Sequence, residues 1–144
     1  MAKQFNRISR EQMFIEIAQT IAKRSTCKRK QVGCLLVKDG RIVSMGYNGV
    51  LPGIPDEKGM DENGNSRTVH AEANAIAFCA RNGIATEECI LYSTLQPCEK
   101  CAELIIQAGI NKVYYIDEYR DKTGLEVLRL SNIETTKIWQ VSIE

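Results

Sequence analysis

Hydrophobic positions along the chain follow two periods, one typical of helices and one typical of strands. Phe14, Ile17 and Ile21 recur at the three-to-four-residue spacing of one helix face. Short apolar runs bounded by turn residues have instead the length of buried strands. These patterns predict four helices, at 9–23, 70–81, 98–108 and 123–131, and five strands, at 32–37, 41–46, 89–93, 112–116 and 134–141.

Glycine and proline residues mark several ends of these elements. Asp39-Gly40 is a two-residue hairpin signal, which predicts that the first two strands are antiparallel neighbours. Gly83 and Gly109 follow helical patterns and are expected to end them. Pro97 suits the first position of the third helix, where a missing N–H costs nothing.

The order of the elements predicts the fold class. After the opening hairpin, strands alternate with helices, which favours an α/β fold: one five-stranded mixed sheet with helices on both faces. The 144 residues fit a single domain, 1–144. The predicted elements are interrupted by one long polar loop at 47–67, and loops of this length are usually functional.

Composition and charge narrow the function classes. The chain is 44% hydrophobic and 26% charged, as expected for a globular protein with a core. A net charge of +1 argues against a dedicated, stable nucleic-acid binder, which usually carries a strongly basic face. Neither an apolar leader nor an apolar run of membrane-spanning length is visible, so we expect a cytoplasmic protein without a membrane partner.

Two of the six cysteines stand apart from the others. Cys34, Cys79 and Cys89 lie within strand or helix patterns and are interpreted as small buried hydrophobic residues. Cys98 and Cys101 are three residues apart at a predicted helix start, where they share one face and where thiol pKa values are lowered. By itself this C-x-x-C motif fits a redox pair, a packing pair or metal ligands.

The single histidine of the chain resolves part of this ambiguity. His70 opens another predicted helix, and with Cys98 and Cys101 it makes three protein ligands. Structural zinc sites are usually closed by four ligands, whereas catalytic sites keep a position open for water. Glu72 lies two residues after the histidine, and the combination H-x-E with P-C-x-x-C is the signature of zinc-dependent base deaminases. We therefore predict one Zn²⁺ per chain and Glu72 as the proton carrier.

Several longer strings carry a family resemblance over about 17–119. They are Gln31-Val32-Gly33-Cys34, Gly46-Tyr47-Asn48-Gly49, His70-Ala71-Glu72-Ala73-Asn74-Ala75-Ile76, Pro97-Cys98-Glu99-Lys100-Cys101 and Ile106-Gln107-Ala108-Gly109-Ile110. On these residues the chain resembles the cytidine/deoxycytidylate deaminase superfamily, and within it the deoxycytidylate deaminases. The resemblance implies a cytidine deaminase-like fold and hydrolysis of dCMP to dUMP and ammonia, a reaction that feeds thymidylate synthesis.

The resemblance also implies substrate contacts. Asn48 corresponds to an asparagine that hydrogen-bonds the bound nucleotide, and Tyr119 to a tyrosine near the substrate. Thr26 and Ala71 are assigned to the same substrate site.

Regulation and assembly are further implications of the resemblance. Members of this family usually form hexamers, and many are activated by dCTP and inhibited by dTTP with Mg²⁺. Five of the eight residues at 23–30 are basic, which suits phosphate recognition and equally suits a solvated helix end. The candidate phosphate or allosteric residues are Lys28, Arg29, Lys30, Gly49 and Arg81. Cys27 stands where some members place a ligand of a second, structural zinc, but its partners are missing here.

Other functions remain open from the sequence. A tRNA adenosine deaminase shares both zinc motifs, although the net charge and the Gly46-Tyr47-Asn48-Gly49 string count against it. A cytidine deaminase acting on free nucleosides typically has cysteine at the position of His70. A late-competence or riboflavin-pathway deaminase domain is another alternative. From a different class, a non-catalytic zinc-binding nucleotide sensor would have no need of Glu72.

Overall fold

The computed structural model describes residues 6–139 of the chain. The helices are α1 (Arg10–Ala22), α2 (Ala71–Asn82), α3 (Glu99–Gln107) and α4 (Thr123–Leu130). The strands are β1 (Gly33–Lys38), β2 (Arg41–Tyr47), β3 (Gly49–Val50), β4 (Thr68–Val69), β5 (Ile90–Leu95), β6 (Lys112–Asp117) and β7 (Glu134–Lys137).

Five of these strands form one mixed sheet in the order β2-β1-β5-β6-β7. β1 pairs antiparallel with both β2 and β5, whereas β5–β6 and β6–β7 are parallel pairs. The turn between β1 and β2 places Asp39 at φ 51° and Gly40 at φ 75°, as a two-residue hairpin requires. The predicted fold class, α/β with a five-stranded mixed sheet, is confirmed.

The helices cover both faces of the sheet unequally. α1 packs alone on one face, where Phe14 and Ile15 meet Leu35 and Tyr92 in one core cluster. α2, α3 and α4 cover the other face around a second cluster, whose members include Cys34, Leu36, Ala75, Cys79, Leu91, Ala102, Ile105, Val113 and Leu128. Successive side chains of a strand point to opposite faces of the sheet, so the side chains of β1 contribute alternately to the two clusters. The cysteines interpreted as core residues, Cys34, Cys79 and Cys89, are fully buried.

Most boundaries differ from the sequence prediction by one or two residues, and three differences have structural consequences. Pro97 is not the first helical residue, because Cys98 occupies the N-cap of α3 and the helix begins at Glu99. The segment 47–67 is not entirely a loop: Gly49–Val50 pairs with Thr68–Val69 in a two-stranded antiparallel sheet. The last strand ends at Lys137, and the predicted positions 140–141 lie outside the described residues.

Within residues 6–139, none of the helices combines the length and the apolar character needed to cross a membrane.

Close packing of α1 on the sheet depends on Gly33. A Cβ atom at this position would collide with the carbonyl oxygen of Ala18 and would lie 2.5 Å from the backbone nitrogen of Ala22. Because both obstructing atoms are backbone, they cannot move aside without shifting the whole helix.

We expect Gly33→Ala to lower the free energy of unfolding by about 3 kcal/mol, the upper range for overpacking a core. Gly83→Ala is the control, since its Cβ would meet nothing within 4 Å and only its φ of 67° is unfavourable. The control should cost about 1 kcal/mol, the penalty of a side chain in the left-handed region. Urea unfolding of both variants measures the difference, and equal losses would contradict the packing argument.

Candidate active site

A pocket lies at the sheet edge where β5 and β6 end and where α2 and α3 begin. Parallel strands present their carboxyl ends at the same edge, so the residues that follow β5 and β6 face one space. The pocket volume is about 400 Å³, within the usual range for small-molecule sites. Its polar wall is formed by Lys30, Asn48, His70, Glu72, Gln96 and Tyr119. Its less polar wall includes Cys27, Val32, Ala71 and Leu95.

Three candidate metal ligands converge beside this pocket. His70 is the N-cap of α2 and Cys98 is the N-cap of α3, and neither side chain forms a capping hydrogen bond. Nδ1 of His70 lies 3.5 Å from Sγ of Cys98 and 3.3 Å from Sγ of Cys101. All three donor atoms lie within 4.8 Å of one another.

This donor set fits a zinc ion. Tetrahedral coordination with Zn–S near 2.3 Å and Zn–N near 2.0 Å separates a sulfur from a nitrogen by about 3.5 Å. The two sulfur–nitrogen distances, 3.5 and 3.3 Å, agree with that separation. An imidazole nitrogen placed against both sulfurs is the arrangement of a metal site, whereas a redox pair needs only the two cysteines.

The two thiols differ in their readiness to ionise. Hydrogen bonds to Cys101 and His70 lower the pKa of Cys98 to about 4. The hydrogen bond to Cys98 and then burial raise the pKa of Cys101. One thiolate is therefore favoured without any ion, and a second one at this short distance needs a cation to balance it.

Glu72, in the first turn of α2, is buried at 4% exposure and lines the same pocket. Desolvation raises the pKa of its carboxyl group. The hydroxyl of buried Ser93 lies 3.3 Å from Oε1 of Glu72 and 2.8 Å from the carbonyl oxygen of Leu95, so it can donate its proton to either. Glu72 is thus a buried carboxyl group of raised pKa inside the pocket, as an acid-base role would require.

Tyr119 also lines the pocket, and its hydroxyl group is unsatisfied. Its oxygen is buried and forms no hydrogen bond within residues 6–139. Burial, followed by the nearby charges of Cys98 and Glu72, raises the pKa of Tyr119 to about 12. The hydroxyl therefore stays protonated at neutral pH and is free to bond a ligand.

The side-chain amide of Asn48 forms two hydrogen bonds to the backbone of the segment that lines the pocket. Nδ2 donates to the carbonyl oxygen of Lys30 at 2.7 Å, and Oδ1 accepts from the backbone N–H of Val32 at 2.8 Å. The amide keeps one N–H and one lone pair that a ligand could use. The predicted contact of Asn48 with a nucleotide stays a prediction. The ammonium of Lys30 pairs with Asp117 at 3.3 Å.

The remaining candidates lie outside the main pocket. Thr26, Lys28 and Arg29 line a shallow depression next to it, which shares Cys27 and Lys30 with the pocket. Thr26 Oγ1 accepts from the N–H of Val50 at 3.2 Å, and Gly49 lies beneath that hydroxyl. Arg81 is exposed in the last turn of α2, about 15 Å along the helix axis from Ala71. The structure therefore does not bring Arg81 to the pocket.

Sequence reasoning missed three residues of this region. Ser93 is 0% exposed and contacts the Glu72 carboxyl group, and Gln96 is 1% exposed and accepts from the backbone N–H of Tyr119. A lone serine or glutamine near a strand end carries no motif. A signal for Ser93 was available, because it follows Leu91 at the inward-facing positions of β5. Gly124 is the third residue, and it lies where α4 meets the backbone of Pro97 and Cys98.

The fold and the three converging side chains define a domain with a candidate metal site between two helix N-termini. Residues 8–117 match the model of the cytidine and deoxycytidylate deaminase zinc-binding region. The chain belongs to this family, as the sequence motifs predicted.

Two curated relatives and one solved structure show the extent of this similarity. ComE operon protein 2 of Bacillus subtilis (strain 168) is 42% identical over 118 residues, which cover 79% of this chain and 62% of that protein. A probable deoxycytidylate deaminase of Caenorhabditis elegans is 38% identical over 122 residues, covering 80% and 60%. The chain thus spans about three fifths of the length of both relatives. The structure of dCMP deaminase from the cyanophage S-TIM5, in complex with dCMP and dUMP, is 33% identical with a TM-score of 0.82, over 89% of this chain and 96% of that one.

Gly124 provides a test of how the ligand Cys98 is held. A Cβ atom at this position would collide with the carbonyl oxygen of Pro97 and would lie 2.8 Å from the carbonyl carbon of Cys98. We expect Gly124→Ala to weaken zinc binding by about 10- to 100-fold, as changes behind a ligand commonly do. Competition with a chromophoric chelator measures this affinity.

Gly33→Ala is the matched control for that experiment. It also overpacks a helix against backbone, but on the face of the sheet that carries α1. A similar loss of zinc affinity in both variants would mean that general destabilisation, and not displacement of Cys98, is responsible.

Proposed function

We propose that the chain catalyses zinc-dependent hydrolytic deamination of dCMP to dUMP and ammonia. The observation that carries this proposal is the placement of buried Glu72 in the same pocket as the His70, Cys98 and Cys101 cluster. The cyanophage structure supports it, because that protein is a dCMP deaminase with dCMP and dUMP bound and nearly its whole length aligns with this chain.

His70, Cys98 and Cys101 would hold the zinc ion as a neutral imidazole and two thiolates. A zinc ion with an open coordination position supplies a strongly acidified water as nucleophile and Lewis-acid polarisation. The same donor set without an adjacent carboxyl group would suit a purely structural site. Glu72 therefore distinguishes an enzyme from a zinc-binding sensor.

Glu72 moves the protons of the reaction. As the water oxygen adds to C4 of the cytosine ring, Glu72 accepts the water proton and delivers it to N3. It then transfers the remaining hydroxyl proton to the exocyclic nitrogen at C4, and the C4–N bond breaks. The products are dUMP and ammonia, so that one water is consumed and no redox partner is needed.

The pocket offers polar groups suited to the other parts of the nucleotide. Lys30 places an ammonium group at the pocket wall, which suits a phosphate. Asn48 and Tyr119 retain hydrogen-bonding capacity toward the base or the sugar, and the backbone of Ala71 starts the helix beside the ring site. Thr26 extends this surface into the neighbouring depression.

The proposal is tested by a steady-state assay with dCMP, dCTP, deoxycytidine, CMP and an adenosine-containing tRNA stem-loop. We expect dCMP to be the best substrate. Glu72→Gln should keep its zinc and lose about 10²- to 10⁴-fold in kcat, the usual contribution of a general acid-base group. Glu103→Gln, an exposed glutamate of α3, is the control and should retain full activity.

Two outcomes of this assay would contradict the proposal and favour a different function. Deamination of the RNA alone would assign the chain to the tRNA adenosine deaminases, with the same zinc chemistry. If the zinc-loaded protein turned over none of these substrates, the non-catalytic nucleotide sensor would be the better interpretation.

We further propose that nucleoside triphosphates regulate a homo-oligomeric, hexameric form of the enzyme within thymidylate supply. The support is the exposed basic depression that contains Lys28 and Arg29, next to the substrate pocket and joined to it through Lys30. Activation by dCTP and inhibition by dTTP, each as its Mg²⁺ complex, would act through this depression. Arg81, exposed at the far end of α2, is proposed as a contact of an effector or of a neighbouring subunit.

For this regulation we expect dCTP to raise and dTTP to lower the rate of dCMP turnover, with both effects weaker at high salt. The Lys28→Ala/Arg29→Ala double variant should lose most of the effector response. Arg41→Ala removes an exposed charge at the edge strand β2 and should leave the response intact. Light scattering reports the assembly state, and an equal effector response in all three proteins would contradict a role for this depression.

A further inference from the structure

Gln96 is buried between the metal-ligand loop and the segment 118–122, which connects β6 to α4. It is 1% exposed and lies two residues before Cys98. Its backbone N–H donates to the carbonyl oxygen of Asp117 at 2.9 Å, which joins the ends of β5 and β6. Gln96 also forms part of the polar wall of the pocket.

The side chain of Gln96 makes three contacts to the 118–122 segment. Nε2 donates to the carbonyl oxygen of Asp121 at 2.7 Å. Oε1 accepts from the backbone N–H of Tyr119 at 3.3 Å and from the ammonium of Lys122 at 3.1 Å. One amide group therefore fixes the beginning and the end of the segment at once.

The outer side of this segment is held by two partly exposed ion pairs and one hydrogen bond. Glu118 lies 3.4 Å from Lys122 and 3.6 Å from Lys137, and it accepts a hydrogen bond from Tyr115. Exposed ion pairs contribute little to stability because water and salt screen them. Hydrogen bonds of a buried amide contribute more, and leaving their partners unpaired is costly. Among the described contacts, Gln96 is therefore the principal anchor of the segment.

The residue that this anchor positions is Tyr119. Its hydroxyl is buried without a partner, a costly arrangement that a bound ligand with a polar group would relieve. The hydroxyl stays desolvated only while the segment keeps its place against the pocket. If the segment loosened, the hydroxyl group would turn toward solvent and become hydrated. A ligand would then bind more weakly, because binding would have to remove that water.

We propose that Gln96 is a positioning residue that holds the 118–122 segment so that the Tyr119 hydroxyl binds the pyrimidine nucleotide. This inference rests on the proposed deaminase function for the identity of the ligand. Gln96 acts through Tyr119 on ligand affinity, whereas Glu72 acts on the chemical step.

The test compares Gln96→Met, Tyr119→Phe and the double variant, all loaded with zinc. Methionine has the length of glutamine but none of its hydrogen bonds. We expect each single variant to raise KM for dCMP about tenfold and to change kcat less than about threefold. The double variant should resemble the single ones, because the two residues act on the same interaction.

Thr86→Val is the matched structural control. Thr86 donates a partly buried hydrogen bond to Ala108 at 2.7 Å, remote from the pocket. Its loss should lower thermal stability while KM stays unchanged. If Gln96→Met behaved in the same way, Gln96 would be merely structural and the proposal would be wrong.

Two further measurements separate the possible failures. Calorimetric titration with dUMP should show the same tenfold loss of affinity in Gln96→Met, even where turnover is difficult to measure. Zinc content should be unchanged, and a loss of zinc would overturn the proposal in favour of an effect on Cys98.

If Gln96→Met fails to fold, Lys122→Met is the alternative variant, because it removes one of the three contacts from the surface. An unchanged KM in Lys122→Met would also overturn the proposal. A wild-type protein inactive on dCMP would refute the proposed function, whereas an active one with insensitive variants refutes only the role of Gln96.

Discussion

The site depends on the meeting of two helix N-termini at one edge of the sheet. N-cap positions normally carry serine, threonine, aspartate or asparagine, whose oxygens accept the free N–H groups of the first turn. Here they carry His70 and Cys98, and neither side chain caps its helix. Neither helix therefore gains the stabilisation of a side-chain cap. The positive N-terminal end of α3, which carries both Cys98 and Cys101, favours the thiolates that a metal ion requires.

Close backbone packing keeps these two helix ends at the required distance. Gly46 of β2 lies against α2, where a Cβ atom would be 2.5 Å from the carbonyl oxygen of Ala71 and 2.8 Å from the nitrogen of Ala75. Gly124 allows α4 the same close approach to the N-cap of α3, where Cys98 lies. The positions of Glu72 and Cys98 are therefore set by rigid elements and not by flexible loops, as a preorganised site requires.

Patterns with a local physical cause were predictable from the sequence. The hairpin at Asp39-Gly40 and the helix end at Gly83 follow from residue chemistry at short spacing. The metal cluster was predicted from two short motifs, H-x-E and P-C-x-x-C, although 28 residues separate His70 from Cys98. The structure agrees with all three. The start of α3 was misplaced because Pro97 suits both a first helical position and the extended residue before an N-cap. Gln96 could not be found in this way, since its partners at 119–122 are more than 20 residues distant and become neighbours only through the parallel pairing of β5 and β6.

The position of the single tryptophan of the chain makes its fluorescence useful as a probe. The indole ring of Trp139 is 73% exposed, and the ammonium of Lys137 lies 4.1 Å from its centroid. The same ammonium contacts Glu118 at the start of the segment that carries Tyr119. Because a nearby cation perturbs indole fluorescence, we expect displacement of that segment to change the emission of Trp139. The molecule thus carries its own fluorophore for following events at the pocket, without an attached dye.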